Sequence, residues 1–127
     1  MNNGEVLYKA LCDGSLDPAE FRHRDHVAAA MAALEAEDFF HALARFADGL
    51  QRLTQKANVP EKYNATLTMG FMSLVAEAMA AHPGLTADEL IKMRPEIASL
   101  SALVERYSSK RIQGSLPRTV GLLPDFA

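Results

Sequence analysis

The sequence lacks tryptophan and contains a single cysteine, Cys12. One cysteine excludes a disulfide within the chain, and we interpret Cys12, beside Leu11, as a small buried apolar side chain. There is no uninterrupted apolar run of about 18 residues or more, so we expect neither a membrane-spanning helix nor a membrane partner. The first residues, MNNGEVLYKA, lack a basic segment followed by an apolar run. We therefore expect no signal peptide and a cytoplasmic protein.

A strong excess of either charge is also missing, since the formal net charge is −3. A nucleic acid is thus not an expected partner. The sequence has no glycine-rich phosphate loop, no G-x-S-x-G and no C-x-x-C. Nucleotide-binding, serine-hydrolase and zinc-ribbon chemistry are therefore unsupported, and no motif identifies a cofactor.

Strand-like alternation is absent too, whereas apolar residues recur at helical spacing throughout. Five large apolar side chains spaced by four, three, four and three residues predict an amphipathic helix over about 38–57: Phe39, Leu43, Phe46, Leu50 and Leu53. A mostly apolar segment predicts a buried helix over about 64–81. Four shorter helices are predicted. One spans residues 4–12, one begins with Asp25 as its N-cap, one follows Thr86, and one covers a last apolar stripe from Ile97 to Tyr107.

These elements predict an all-α fold in which residues 1–127 form one compact domain. We expect about five or six helices around the central helix at about 64–81. The segment 108–127 contains Gly114, Pro117, Gly121 and Pro124, so we expect it to lack regular structure. Its several apolar residues predict that it nevertheless packs on the body of the domain.

Two histidines, His23 and His26, stand three residues apart in a polar cluster after Phe21. At this spacing both imidazoles can lie on one side of a helical turn. Three interpretations remain open: histidines that only pack or hydrogen-bond near a helix start, members of a metal-free polar pocket, or ligands of a metal ion. The spacing is not that of the zinc proteases, and we assign no metal ligand.

A second polar group lies where the central helix begins and consists of Tyr63, Asn64, Thr66 and Thr68. Asn64 could simply be the N-cap, with Thr66 bonded back to a carbonyl. Alternatively, the four side chains form a set of hydrogen-bonding groups at one end of an apolar cavity, which is how small-molecule pockets are built.

With these residues identified, the chain resembles a family of small uncharacterised bacterial proteins over about residues 20–126. The family's F/W-x-H-x-x-H-[LV]-x-x-A element corresponds to FRHRDHVAAA, which begins at Phe21. Its Tyr-His-x-Thr-x-Thr element corresponds to YNATLT, and its Tyr-Ser and Pro-Asp-[LF] elements occur near the C-terminus. The resemblance implies a shared pocket but no established activity. Asn64 replaces the histidine of the second element, and asparagine cannot exchange a proton near pH 7.

Our functional prediction is a small-molecule-binding domain, in which catalysis is left open, with a pocket between the His23–His26 turn and the start of the central helix. Tyr63, Asn64, Thr66 and Thr68 would orient the ligand, and His26 or His23 would act as acid, base or hydrogen-bond donor. The alternative is a non-catalytic interaction module that forms a homodimer through Phe39 and Phe40.

Overall fold

The structure, a computed structural model, describes residues 1–126, and these form eight α-helices and no strand. The helices are α1 (Asn3–Asp13), α2 (His23–Ala36), α3 (Phe39–Lys56), α4 (Ala65–Ala81), α5 (Ala87–Met93), α6 (Ser101–Val104), α7 (Ser109–Gln113) and α8 (Leu116–Thr119). The predicted all-α class is confirmed. None of the helices formed by residues 1–126 has the length and hydrophobicity that a bilayer-spanning helix requires.

Side-chain caps determine where the two long helices of the site begin. The Asp38 carboxylate accepts a hydrogen bond from the backbone N–H of His41 at the start of α3. Asn64 Oδ1 accepts one from the N–H of Leu67 at the start of α4. Both caps satisfy N–H groups that have no partner inside the helix. The predicted boundaries of these two helices agree with the observed ones to within a residue.

The start of α2 differs from the prediction that Asp25 would be its N-cap. The helix begins at His23, and Arg22 occupies the N-cap position with extended backbone. The Asp25 carboxylate instead reaches back to accept a hydrogen bond from the N–H of Arg22, at 3.0 Å. Because of this shift, His23 and His26 both lie in the first turns of a regular helix.

Helices α2 and α4 together form the centre of the domain. Every residue from Val27 to Ala33 in α2 is buried, and this helix packs against α1, α3, α4 and α5. Helix α4 packs against α2, α3, α6 and α8, with Met72 and Val75 completely buried. The small alanine side chains of α2 allow its neighbours to approach closely. The predicted central helix therefore exists but shares its position with α2.

Helix α3 crosses α1 closely at Gly49. A Cβ atom at Gly49 would lie 2.6 Å from Cγ of Leu11, which is completely buried. Such a distance is well inside van der Waals contact. Glycine is therefore needed here for space, although it lowers the helix propensity of α3.

The predictions for the C-terminal third were partly wrong. The apolar stripe from Ile97 to Tyr107 is not one helix but a 3-10 turn at Pro95–Ala98 followed by α6, with extended backbone at Ser99 between them. Segment 108–126 also contains regular structure, because Ser108 caps α7 and α8 begins with a proline in its first turn. The count of helices therefore exceeds the five or six expected, and residue 127 lies outside the described residues.

The prediction that this last segment packs on the body is confirmed. Thr66 Oγ1 in α4 donates a hydrogen bond to the Val120 carbonyl at 2.6 Å and accepts one from the Leu122 N–H at 2.9 Å. The Tyr107 hydroxyl donates to the Leu122 carbonyl at 2.9 Å. We call residues 116–126, which these contacts hold against α4, the C-terminal segment.

Candidate functional site

A cavity of about 780 Å³ lies between the start of α2, the second half of α3 and the start of α4. Its volume falls within the range of roughly 300–1,000 Å³ that is typical of small-molecule sites. Both polar groups identified in the sequence contribute to its wall. These groups, more than 35 residues apart in the chain, meet because α2 and α4 pack side by side in the core.

The inner wall of the cavity is apolar. Phe46 is completely buried and Phe71 nearly so, and their rings lie 6.1 Å apart between centroids. The remaining apolar wall comes from α3, α4 and the 3-10 turn at Pro95–Ala98: Leu50, Leu53, Leu67 and Ile97. A ligand in this cavity would therefore remove a mostly hydrocarbon surface from water.

The two histidines occupy one side of the cavity and differ in environment. His26 is partly buried, and its ring stacks on the buried Phe21 ring with a centroid separation of 4.1 Å and an interplanar angle of 24°. His23 is exposed, and its ring centroid lies 5.9 Å from that of His26. The helical spacing thus brings both imidazoles to the cavity, with Phe21 holding the orientation of His26.

Burial is the main cause of the unusual acidity of His26. The apolar surroundings disfavour the imidazolium and lower the pKa of His26 to about 4, and the nearby His23 acts in the same direction. A hydrogen bond with the Phe21 backbone and the charge of Asp25 oppose this shift but do not cancel it. At neutral pH His26 is therefore an uncharged imidazole, which has one donor and one acceptor nitrogen.

The start of α4 contributes Tyr63, Asn64 and Thr68 to the cavity. Asn64 Oδ1 is engaged in the helix cap, so its amide nitrogen is the group left to face a ligand. Thr68 Oγ1 donates its proton to the Asn64 carbonyl at 2.7 Å and can still accept a hydrogen bond. Burial raises the pKa of Tyr63, which a hydrogen bond with Thr68 partly offsets. The Tyr63 phenol therefore stays protonated at neutral pH.

Thr66 does not belong to this wall, although the sequence grouped it with its neighbours. Its hydroxyl is completely buried against the C-terminal segment, where it bonds to Val120 and Leu122. Two residues along a helix turn the side chain by roughly 200°, so Thr66 and Thr68 cannot both face the cavity. The hydroxyl that bonds back to a carbonyl is that of Thr68, and Thr66 has a structural role.

Sequence reasoning missed three contributors to the cavity. Arg22 and Lys62 line it and are exposed. Each directly precedes a residue that was predicted to belong to the site, so adjacency was an available signal. The α3 wall had no such signal, because an apolar stripe looks the same whether it faces a core or a cavity.

Among residues 1–126 there is no group of three or more His, Cys, Asp or Glu side chains that could hold a metal ion. Cys12 is partly buried rather than fully buried, and burial raises the pKa of its thiol. A raised pKa leaves little thiolate at neutral pH. The interpretation of Cys12 as a small buried apolar side chain is therefore only partly right, because the side chain is partly buried.

Comparisons with known proteins give the chain no relatives. No protein-family model, no curated protein and no solved structure matches it. The resemblance to a family of small bacterial proteins therefore stays a prediction.

Proposed function

We propose that the protein binds a small organic molecule in the cavity between the start of α2 and the start of α4. The observation that carries this proposal is the composition of the wall. A mostly apolar cavity of about 780 Å³ has most of its hydrogen-bonding side chains near two adjacent helix starts. Few polar groups that converge on an apolar volume give a site both affinity and orientation.

The polar side chains of the cavity wall can each have a specific role in binding. Neutral His26 either donates or accepts a hydrogen bond. The Asn64 amide nitrogen is a further donor. His26 is also the group best suited to accept a proton from a ligand, because its burial keeps it uncharged at neutral pH. Its low pKa makes it a weak base, which favours binding over proton-transfer catalysis as the main role of the site.

A variant that fills the cavity tests this proposal. Leu50→Trp would place a larger side chain in the α3 wall, while Leu43→Trp makes the same change one heptad earlier in α3, at a partly buried position outside the cavity. We expect a metabolite library to raise the melting temperature of the parent and of Leu43→Trp, but not of Leu50→Trp. A library without any stabilising compound for the parent, or hits that Leu50→Trp retains, would contradict the proposal.

One observation favours the alternative of an interaction module. Phe40 is 78% exposed at the start of α3, and its ring meets that of Phe39 edge to face, 5.4 Å apart between centroids. A homodimer formed through these two rings would cover this apolar surface. A constant monomeric mass in light scattering over a wide concentration range would exclude it.

A further inference from the structure

We propose that the ligand of this cavity is a small organic acid, with an apolar body inside and its anionic group at the rim beside Arg22 and Lys62. This inference concerns the class of ligand and rests on the proposed binding function. The inference depends on which charged side chains line the cavity and on where these side chains lie.

The cavity wall has an unusual charge composition for this protein. The chain has 16 acidic residues against 13 basic ones, yet neither aspartate nor glutamate lines the cavity, whereas Arg22 and Lys62 do. Within residues 1–126, neither of these two side chains takes part in an ion pair, although four other arginines do. The rim is thus locally positive on an acidic protein.

The arrangement of polarity gives the ligand its orientation. Arg22 and Lys62 are exposed, whereas Phe46 and Phe71 are buried at the inner end. A charged group would lose much of its hydration at the inner end without an ionic partner there. Hydrocarbon placed at that end gains from burial instead. The anionic group therefore belongs at the rim.

The neutral donors fit the same ligand class. Arg22 and Lys62 carry donors only, and the Asn64 amide nitrogen adds a further donor for acceptor oxygens. An ionised carboxylate only accepts hydrogen bonds, so it matches this set of donors. An alkylammonium ion would instead meet two positive charges and no carboxylate.

Isothermal titration calorimetry with three compounds of equal chain length tests the inference: octanoate, octanamide and octylamine. We expect octanoate to bind roughly tenfold more tightly than octanamide, and octylamine to bind least. Arg22→Gln and Lys62→Gln should each weaken octanoate binding by roughly two- to fivefold, as is usual for solvent-exposed ionic contacts, and leave octanamide binding unchanged. Arg106→Gln and Lys110→Gln, which remove exposed cations outside the cavity, should change neither.

The possible failures separate the ligand class from the binding function. Equal affinities for octanoate and octanamide, or no effect of Arg22→Gln and Lys62→Gln, would overturn the inference and leave a neutral-ligand site. Absence of binding by all three compounds would overturn it as well, and the library experiment with Leu50→Trp would then decide the binding function by itself.

Discussion

His26 shows how one side chain can be given an unusual property by neighbours that are close in sequence. Phe21 covers its ring, and the nearby His23 further disfavours its protonation. The sequence indicated only that the two histidines would share a side of a turn. The burial of His26 depends on α3 and α4, which are distant in the chain. Its low pKa could therefore not be predicted from the spacing of the two histidines.

The first prediction concerns stability against pH. The pKa of His26 is about 4 in the folded protein, against an ordinary value of 6.5, so the unfolded chain binds more protons between these values. The free energy of unfolding therefore falls as the pH is lowered from about 6.5 to 4, by up to roughly 1.4 kcal/mol per pH unit from this group. Urea unfolding at several pH values should show a shallower pH dependence for His26→Gln than for the parent. Identical slopes would contradict the assigned burial of His26.

Asn64 also belongs to the scale of single residues. Its oxygen caps α4. Asparagine is among the best N-cap residues, and its amide cannot exchange a proton near pH 7. This agrees with a site that binds rather than one that transfers protons.

At the scale of elements, helix starts explain both the success and the error of the sequence predictions. Asp38 and Asn64 cap α3 and α4 in the structure, and the sequence suggested this role for Asn64. The prediction that Asp25 is the N-cap of α2 was wrong because aspartate is favoured at two positions. One is the N-cap, and the other lies three residues later, where the carboxylate can accept a hydrogen bond from the N-cap N–H. Arg22 offers no recognisable cap signal, so the sequence could not place the start of α2 correctly.

Short helices near the C-terminus could not be predicted for a related reason. Helices α6, α7 and α8 span only four or five residues each. Helices this short are unstable alone and depend on packing against the rest of the protein. Their existence therefore follows from contacts with α4 and with one another, which a local pattern does not contain.

The second prediction concerns the attachment of the C-terminal segment to α4. Thr66→Val keeps the shape of the side chain but removes both hydrogen bonds to Val120 and Leu122. Leaving these backbone groups without partners should lower the free energy of unfolding by roughly 1–3 kcal/mol. Hydrogen exchange should also speed up at residues 120–122.

The control for that variant is Thr119→Val, which makes the same chemical change at an exposed position of α8. It should leave stability within about 0.5 kcal/mol of the parent. Unchanged exchange at residues 120–122 in Thr66→Val would show that Thr66 does not hold the C-terminal segment.

At the scale of the whole molecule, the net charge of the chain does not indicate which charges line the cavity. A net charge of −3 argued against a broad basic surface, yet the cavity is lined by basic side chains without acidic ones. Charge summed over a chain carries no information about where each sign lies. The sequence could predict two walls of the site from its polar clusters, whereas the third wall and the charge of the rim required the packed structure.

Mapping of octanoate on the protein by backbone amide chemical shifts tests the central claim most directly, because it reports where a ligand binds. We predict saturable shifts that are largest at residues 21–26 and 62–68, with smaller ones at Phe46 and Leu50 in α3. The Leu50→Trp variant should lose these shifts and Leu43→Trp should keep them. Shifts that are centred on Phe39 and Phe40 would contradict the assignment of this cavity as the binding site, and no saturable shift at all would contradict the assignment of an organic acid as its ligand.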